Sequence, residues 1–396
     1  MFRFVSASTL IVIAVAVVLL VAIVVWLWPN SPKSSEKMAN KRLGDRARFS
    51  NASAEQRLQD ARTNLHPDCP NIGPGLVLGS VDSSSVFQGW RQCSVQIHAP
   101  GRGKTTSQVV PHSKQAPGPL VMTSNKADGV WEVFAARMFH GNVWIFDPTN
   151  ILNRKDASTD HFNIIGMVRN SMDAEKVGAI FQAATQGEGS REGNPNAHFD
   201  LMGSKIIGSL LLAANVSGGS DKDVFRWAMT TDEDEPAAIL ERHGFTNQAA
   251  TLRGLKKQPA DTRGSVWATA QRCASPFEHE EYLASIRPVS EHHRVFDPVA
   301  FASSTDTLIL LGSRSAGATS ALVSSLVWDV FRSAKVKAST GSNERLRVPM
   351  VMELDEVGNT VMLPELPEWY SYSGSLGIVI NSYFQSVAQG RRVYGK

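Results

Sequence analysis

Three cysteines in 396 residues are too few for a disulfide framework, and Cys69, Cys93 and Cys273 make no Cys-x-x-Cys pair. A stapled secreted domain and a thiolate metal site are both excluded, which leaves buried or idle thiols in a reducing compartment. Net charge is scarce too, at +3. This balance neither demands nor forbids a polyanionic partner, because a narrow basic channel fits inside a near-neutral total. Charge is missing altogether from Thr9 to Trp28. As a helix that stretch is about 30 Å long, the thickness of a hydrocarbon core. A secretory signal has a shorter apolar stretch and a small-residue cleavage site, and neither is evident. Lys33, Lys37, Lys41, Arg42, Arg46 and Arg48 follow the stretch against a lone Arg3 before it. This asymmetry predicts a single-pass anchor in the cytoplasmic membrane with the bulk of the chain cytoplasmic. Apolar residues make up 42% of the chain, ample for the packed core of two or three domains.

Against these absences stands one concentrated motif. Val95-Gln96-Ile97-His98 runs into Ala99-Pro100-Gly101-Arg102-Gly103-Lys104-Thr105-Thr106, an apolar run that breaks into a glycine-rich turn ending in Lys-Thr. Such a turn cradles phosphates. Its backbone N–H groups converge on them, Lys104 reaches the β- and γ-phosphates, and the Thr105 hydroxyl holds Mg²⁺. Pro100 to Thr106 are therefore the nucleotide-binding segment. Alone, Gly103-Lys104-Thr105 is also compatible with an ordinary turn before a helix, since His98 stands where the strict pattern has glycine. The second half lies far downstream, where Met350-Val351-Met352-Glu353-Leu354 reads as a buried strand ending in Asp355 and Glu356. Asp355 suits Mg²⁺ and Glu356 suits water activation, although an Asp-Glu pair also fits a solvated strand end. A third apolar run, Gly377 to Phe384, ends at Gln385. Three strand ends facing one site point to ATP and Mg²⁺ as cofactors, with Glu356, Lys104 and Gln385 as catalytic residues and Thr105 and Asp355 as metal ligands.

Alternating apolar runs and helical patterns predict a parallel α/β sheet. The runs are Gly75 to Leu78, Cys93 to Ile97, Leu120 to Thr123, Val143 to Phe146 and Thr307 to Leu311. Helices are expected from near Lys104, over Asp128 to Met138, and from Ala316 to Phe331. Between about Asn170 and Glu291 strand patterns stop. Helical ones replace them at Ala174 to Thr185, Met202 to Val216, Asp221 to Met229, Pro236 to Glu241 and Arg263 to Ala274. The organisation read from this is an anchor (1–28), a juxtamembrane linker (29–72), a first ATPase part (73–170), an all-helical insertion (171–291) and a second, truncated ATPase part (292–396). The insertion is expected to fold separately and to carry partner specificity. Glu278, His279, Glu280, Glu281, Glu291, His292 and His293 match no metal geometry and read as a solvated face. Glu353 is the one charge in its strand. With that strand next to the phosphate-loop strand, His98 or an Arg of the adjoining helix would be its partner.

Several blocks resemble the type IV coupling proteins of conjugation, the TraG/TraD class. They are Gly101 to Ser107, Val109-Val110-Pro111-His112, Ala116 to Pro119, Thr123 to Asp128, Trp144 to Pro148, Phe296 to Phe301, Leu354-Asp355-Glu356, Leu363 to Pro367 and Gln385 to Gln389. The resemblance covers about residues 73 to 396. It implies a RecA-like P-loop ATPase that assembles as a homo-hexamer around single-stranded DNA and feeds it, with its relaxase, to a type IV secretion channel. Gln385 would sense the γ-phosphate. The chain departs from the family at His98, in its single membrane span, and at Gly374-Ser375-Leu376-Gly377, which lacks an arginine that members often carry. Arg314, Arg391 and Arg392 are open substitutes. Two other readings stand beside this one: a non-hydrolysing membrane docking protein, and another RecA-like secretion or DNA-partition ATPase.

Overall fold

The computed structural model describes residues 46–394 except 100, 102, 155–159, 187–195, 285, 288–293, 313–316 and 342. The expected membrane anchor lies outside the described residues. Six strands form an all-parallel sheet: β3 (Ser94–Ile97), β4 (Leu120–Ser124), β5 (Val143–Phe146), β8 (Thr307–Leu311), β9 (Met350–Leu354) and β10 (Ile378–Phe384). Their spatial order is β3-β10-β9-β4-β8-β5, and the short strands β6 (Asp160–His161) and β7 (Arg294–Val295) pair with each other in a separate parallel ribbon. All residues of β4, β8, β9 and β10 are buried. This is the pattern of strands covered on both faces, and it explains why they read as continuous apolar runs.

One face carries α1 (Val110–Gln115) and α2 (Val130–Arg137) over a core that includes Val109, Leu120, Met122, Val133 and Val351. The other face packs against α3 (Ser171–Thr185), α4 (Ala197–Ser217) and α5 (Gly317–Thr340). Between α4 and α5 the chain forms further helices at Asp221–Met229, Glu235–Arg242, Thr246–Lys256 and Ala260–Ala274. The helix at Thr246–Lys256 has no counterpart in the sequence reading because its composition is mostly polar and only Ala249, Leu252 and Leu255 are buried. Helices α3 and α4 touch through their backbones. A Cβ on Gly178 would lie 2.2 Å from the Ser204 carbonyl oxygen, and one on Gly208 would lie 2.1 Å from that of Ala174. Among the described residues α4 is the one helix long and apolar enough to cross a membrane, yet 61% of that stretch is buried inside the protein. It is a core helix. Val177, Phe181, Leu211 and Trp267 of the helical region share one apolar cluster with Leu310, Val327 and Leu354 of the sheet region. The apolar core of the helical region is therefore continuous with that of the sheet.

Three expectations are corrected. The run at Gly75 to Leu78 is not part of the parallel sheet. It belongs to β1 (Leu76–Val81), which pairs antiparallel with β2 (Ser84–Gln88) through a turn at Asp82 and Ser83, with φ of +47° and +64°. Two consecutive left-handed residues make a tight hairpin, a connection that a reading of apolar runs does not detect. The stretch read as linker up to residue 72 includes a helix at Ala54–Asn64, capped by Ser53 and fastened to the hairpin by Arg57 Nε, 3.2 Å from the Phe87 carbonyl oxygen. Finally, β9 does not neighbour the phosphate-loop strand β3. Strand β10 lies between them.

Candidate nucleotide site

The parallel strands end on one edge, and the site is built there. Beyond β3 the backbone turns at Gly101 and Gly103, with φ of +73° and +71°, where L side chains are strained. A wide π-turn over Thr105–Val109 then leads into α1. Such turns interrupt the regular ladder and often mark functional segments. Lys104, Thr105 and Thr106 line a cleft of about 290 Å³ with His98, Gly101, Gly103, Asp355, Glu356 and Gln385. Pro100 and Arg102 lie outside the described residues. A larger cavity of about 740 Å³, between the hairpin and Phe49, is lined by no charged side chain. Chemistry, not size, distinguishes the cleft.

Lys104 Nζ lies 2.6 Å from Asp355 Oδ1 and 2.8 Å from Glu356 Oε1. Burial pulls the ammonium's pKa down, but the two carboxylates outweigh it and hold Lys104 above its ordinary value. Burial likewise pushes Asp355 up, against the pull of Lys104. Glu356 resists the push of burial through Lys104, Asn359 and Gln385, and is held below the ordinary range. Its Oε2 accepts from Asn359 Nδ2 at 2.9 Å and from Gln385 Nε2 at 2.6 Å. Glu356 adopts φ +58°, a left-handed conformation that costs a non-glycine residue free energy and aims its carboxylate into the cleft. Thr105 Oγ1 donates to Asp355 Oδ2 at 3.2 Å. Among the described residues no group of three His, Cys, Asp or Glu side chains could hold a metal. One hydroxyl beside one carboxylate does fit Mg²⁺, which keeps waters and takes phosphate oxygens as its remaining ligands.

The structure therefore brings Lys104, Thr105, Asp355, Glu356 and Gln385 together. It also adds Ser124, Asn125, Lys126 and Asp128 from the end of β4, and Asn359 behind Glu356. The sequence contained a signal for the first four, a polar run after a buried strand, but nothing assigned them to this edge. Of the candidate arginines, Arg391 is exposed on the helix Val387–Tyr394, while Arg314 and the Arg392 side chain lie outside the described residues.

Beneath the cleft, Glu353 is fully buried and its partners differ from those expected. Tyr383 Oη and Asn381 Nδ2, both on β10, donate to its carboxylate at 2.5 and 2.6 Å, and His112 Nδ1 of α1 lies 3.4 Å away. His98 is not the partner, because β10 separates its strand from β9. Burial pulls the His112 pKa down, but the Glu353 carboxylate and the Val77 carbonyl raise it above 6.5. A raised histidine pKa means that the folded state binds the proton more tightly. The stability His112 supplies is thus complete below 6.5 and is lost as pH rises through the higher folded value. Denaturant titrations of the wild type and His112→Gln are expected to differ more at about pH 6 than at alkaline pH. A gap independent of pH would exclude a charged His112.

Comparison with known proteins finds a family match and a likeness of fold. Residues 349–396 match the family described as the TraM recognition site of TraD and TraG. No curated protein matches the chain. Among solved structures, the plasmid coupling protein TrwB in complex with the non-hydrolysable GTP analogue GDPNP is 14% identical with a TM-score of 0.54, over 77% of this chain and 66% of that one. The unbound conjugative coupling protein TrwBdeltaN70 is 13% identical with a TM-score of 0.55, over 87% of this chain and 71% of that one. At such identities the likeness is one of fold, and the chain spans about two thirds of the first TrwB chain. The chain thus shares the fold of the TrwB coupling protein, and its residues 349–396 match the TraD and TraG family model.

Proposed function

We propose that the chain is a membrane-anchored ATPase that couples relaxase-bound single-stranded DNA to a type IV secretion channel, working as a homo-hexamer. The observation that carries the ATPase reading is the convergence of Lys104, Thr105, Asp355, Glu356 and Gln385 in one cleft at the ends of β3, β9 and β10. The loop backbone and Lys104 bind phosphates, and Thr105 and Asp355 hold Mg²⁺, which supplies charge neutralisation on the phosphoryl oxygens. Lys104 leaves its carboxylate partners to reach the phosphates, which frees Asp355 for the metal and Glu356 for a water. Glu356 then takes that water's proton, and Gln385, bonded to Glu356, registers the terminal phosphate. The translocation reading rests on the family class and fold. A helical region that shares its core with the sheet is suited to pass loop motion on to a partner.

A non-hydrolysing docking protein is the second reading, favoured by His98 in the phosphate loop and by the arginine missing before β10. ATP turnover by the whole chain, with and without single-stranded DNA, separates the two. Turnover that rises with DNA is expected, whereas nucleotide binding without turnover in both conditions supports docking.

A further inference from the structure

Lys126 is the second ammonium of the cleft, and the roles assigned above leave it idle. It lines the cleft beside Lys104, Asp355 and Glu356. Its Nζ has no hydrogen-bond or ion-pair partner among the described residues. Its backbone, by contrast, is pinned. Lys126 N–H donates to Ser124 Oγ at 3.2 Å, and that hydroxyl donates to the Lys126 carbonyl oxygen at 3.0 Å.

Two contacts hold this loop against the site. Thr123 pairs with Leu354 in the β4–β9 register and donates from Oγ1 to the Asp355 carbonyl oxygen at 2.9 Å, so the chain after Ser124 runs alongside Asp355 and Glu356. At its far end, Gly129 takes φ +74° where a Cβ would lie 2.5 Å from Val110 Cγ2 and 3.2 Å from Thr105 Cγ2. Residues 125–128 are therefore clamped between the end of β9 and the start of the phosphate-loop helix. The Lys126 side chain itself is exposed, so the clamped backbone leaves its ammonium open to a ligand entering the cleft.

We propose that Lys126 is a further catalytic residue, one that grips the terminal phosphate of a bound nucleoside triphosphate from within the same subunit. The proposal rests on the nucleotide-site reading above and deepens it. In the sheet order the ends of β10, β9 and β4 lie successively farther from the phosphate loop after β3. A diphosphate anchored on the loop points its third phosphate toward Gln385 and Glu356, and Lys126 stands on the far side of both. In hydrolysis the water oxygen bonds to the terminal phosphorus, the bond from that phosphorus to the bridging oxygen breaks, and Glu356 accepts the water's proton. Lys126 neutralises charge on the transferring group as a cationic donor. The cleft holds three carboxylates (Asp128, Asp355 and Glu356) against the ammoniums of Lys104 and Lys126. Loss of Lys126 consequently falls hardest on the most negative ligand.

The test compares the whole chain with Lys126→Ala, Lys126→Gln, Lys126→Arg and Lys104→Ala, using a non-hydrolysable ATP analogue, ADP, Mg²⁺ and steady-state turnover. Lys126→Ala and Lys126→Gln are expected to weaken the analogue roughly tenfold with ADP affinity unchanged, and to lower kcat by roughly 10²–10³, the cost of one lost donor. Lys126→Arg retains most of both. Equal losses for ADP and analogue, or unchanged analogue affinity and kcat, would overturn the assignment. If Lys104→Ala loses both ligands while the Lys126 variants lose nothing, Lys126 alone is misassigned. If neither residue matters, the site reading falls with it. Lys126→Gln keeps the first two methylenes of the stem and a polar end, so loss of charge is read even where Lys126→Ala fails to fold.

Discussion

Replacing Lys104 with alanine is expected to weaken nucleotide binding by roughly 10²-fold and to remove turnover, because a charge-assisted hydrogen bond to phosphate carries about 1.5–3 kcal/mol. The structure adds a second penalty. Lys104 is the cation between Asp355 and Glu356, whose side chains are 3% and 10% exposed. Without it, two adjacent carboxylates face the incoming phosphates and repel them. The same loss destabilises the fold by no more than about 3 kcal/mol, since the cleft mouth admits water. Calorimetric titration with an ATP analogue and a thermal melt of the same variant check both effects. A helix-start surface lysine would leave both measurements unchanged, and that outcome would remove the phosphate-loop assignment.

The second large effect is expected at Glu356. In Glu356→Gln the side chain keeps its size and tolerates the left-handed φ of +58° as well as glutamate does. It also retains a carbonyl oxygen to accept from Asn359 or Gln385. What disappears is the ability to take a proton. Turnover should fall by roughly 10²–10⁴, the usual contribution of a positioned base, with nucleotide affinity changed by no more than a few-fold. Single-turnover kinetics beside equilibrium binding distinguish this from a structural defect. Loss of binding together with turnover would mean that Glu356 holds the cleft in shape instead of activating water.

These variants probe residues that were legible in the sequence, and the reason is chemical. A phosphate cradle needs left-handed glycines and a Lys-Thr pair in immediate succession, and a metal-and-water pair needs adjacent carboxylates at the end of a buried strand. Both are local patterns. The continuous apolar runs at β4, β8, β9 and β10 were readable for a similar reason, since a strand covered on both faces leaves no polar alternation. The hairpin of β1 and β2 was less legible because its turn depends on two backbone conformations at Asp82 and Ser83 rather than on hydrophobic pattern. The helix at Ala54–Asn64 was hidden because none of its residues is buried.

By itself, then, the sequence determined a glycine-rich turn ending in Lys-Thr, an acidic strand end, a glutamine strand end and a parallel α/β architecture interrupted by helices. Only the tertiary structure decided which strands are neighbours. Strand order depends on how helices pack across both faces of a sheet, and one strand's composition carries little information about that. Placing β10 between β3 and β9 gives Glu353 to Tyr383, Asn381 and His112 instead of His98, and brings Gln385 within 2.6 Å of Glu356. Placing β4 beside β9 carries Lys126 into the cleft. The shared core of sheet and helical region has the same origin, because burial of Val177 and Phe181 against the face that holds Leu310 and Val327 joins residues far apart in the chain.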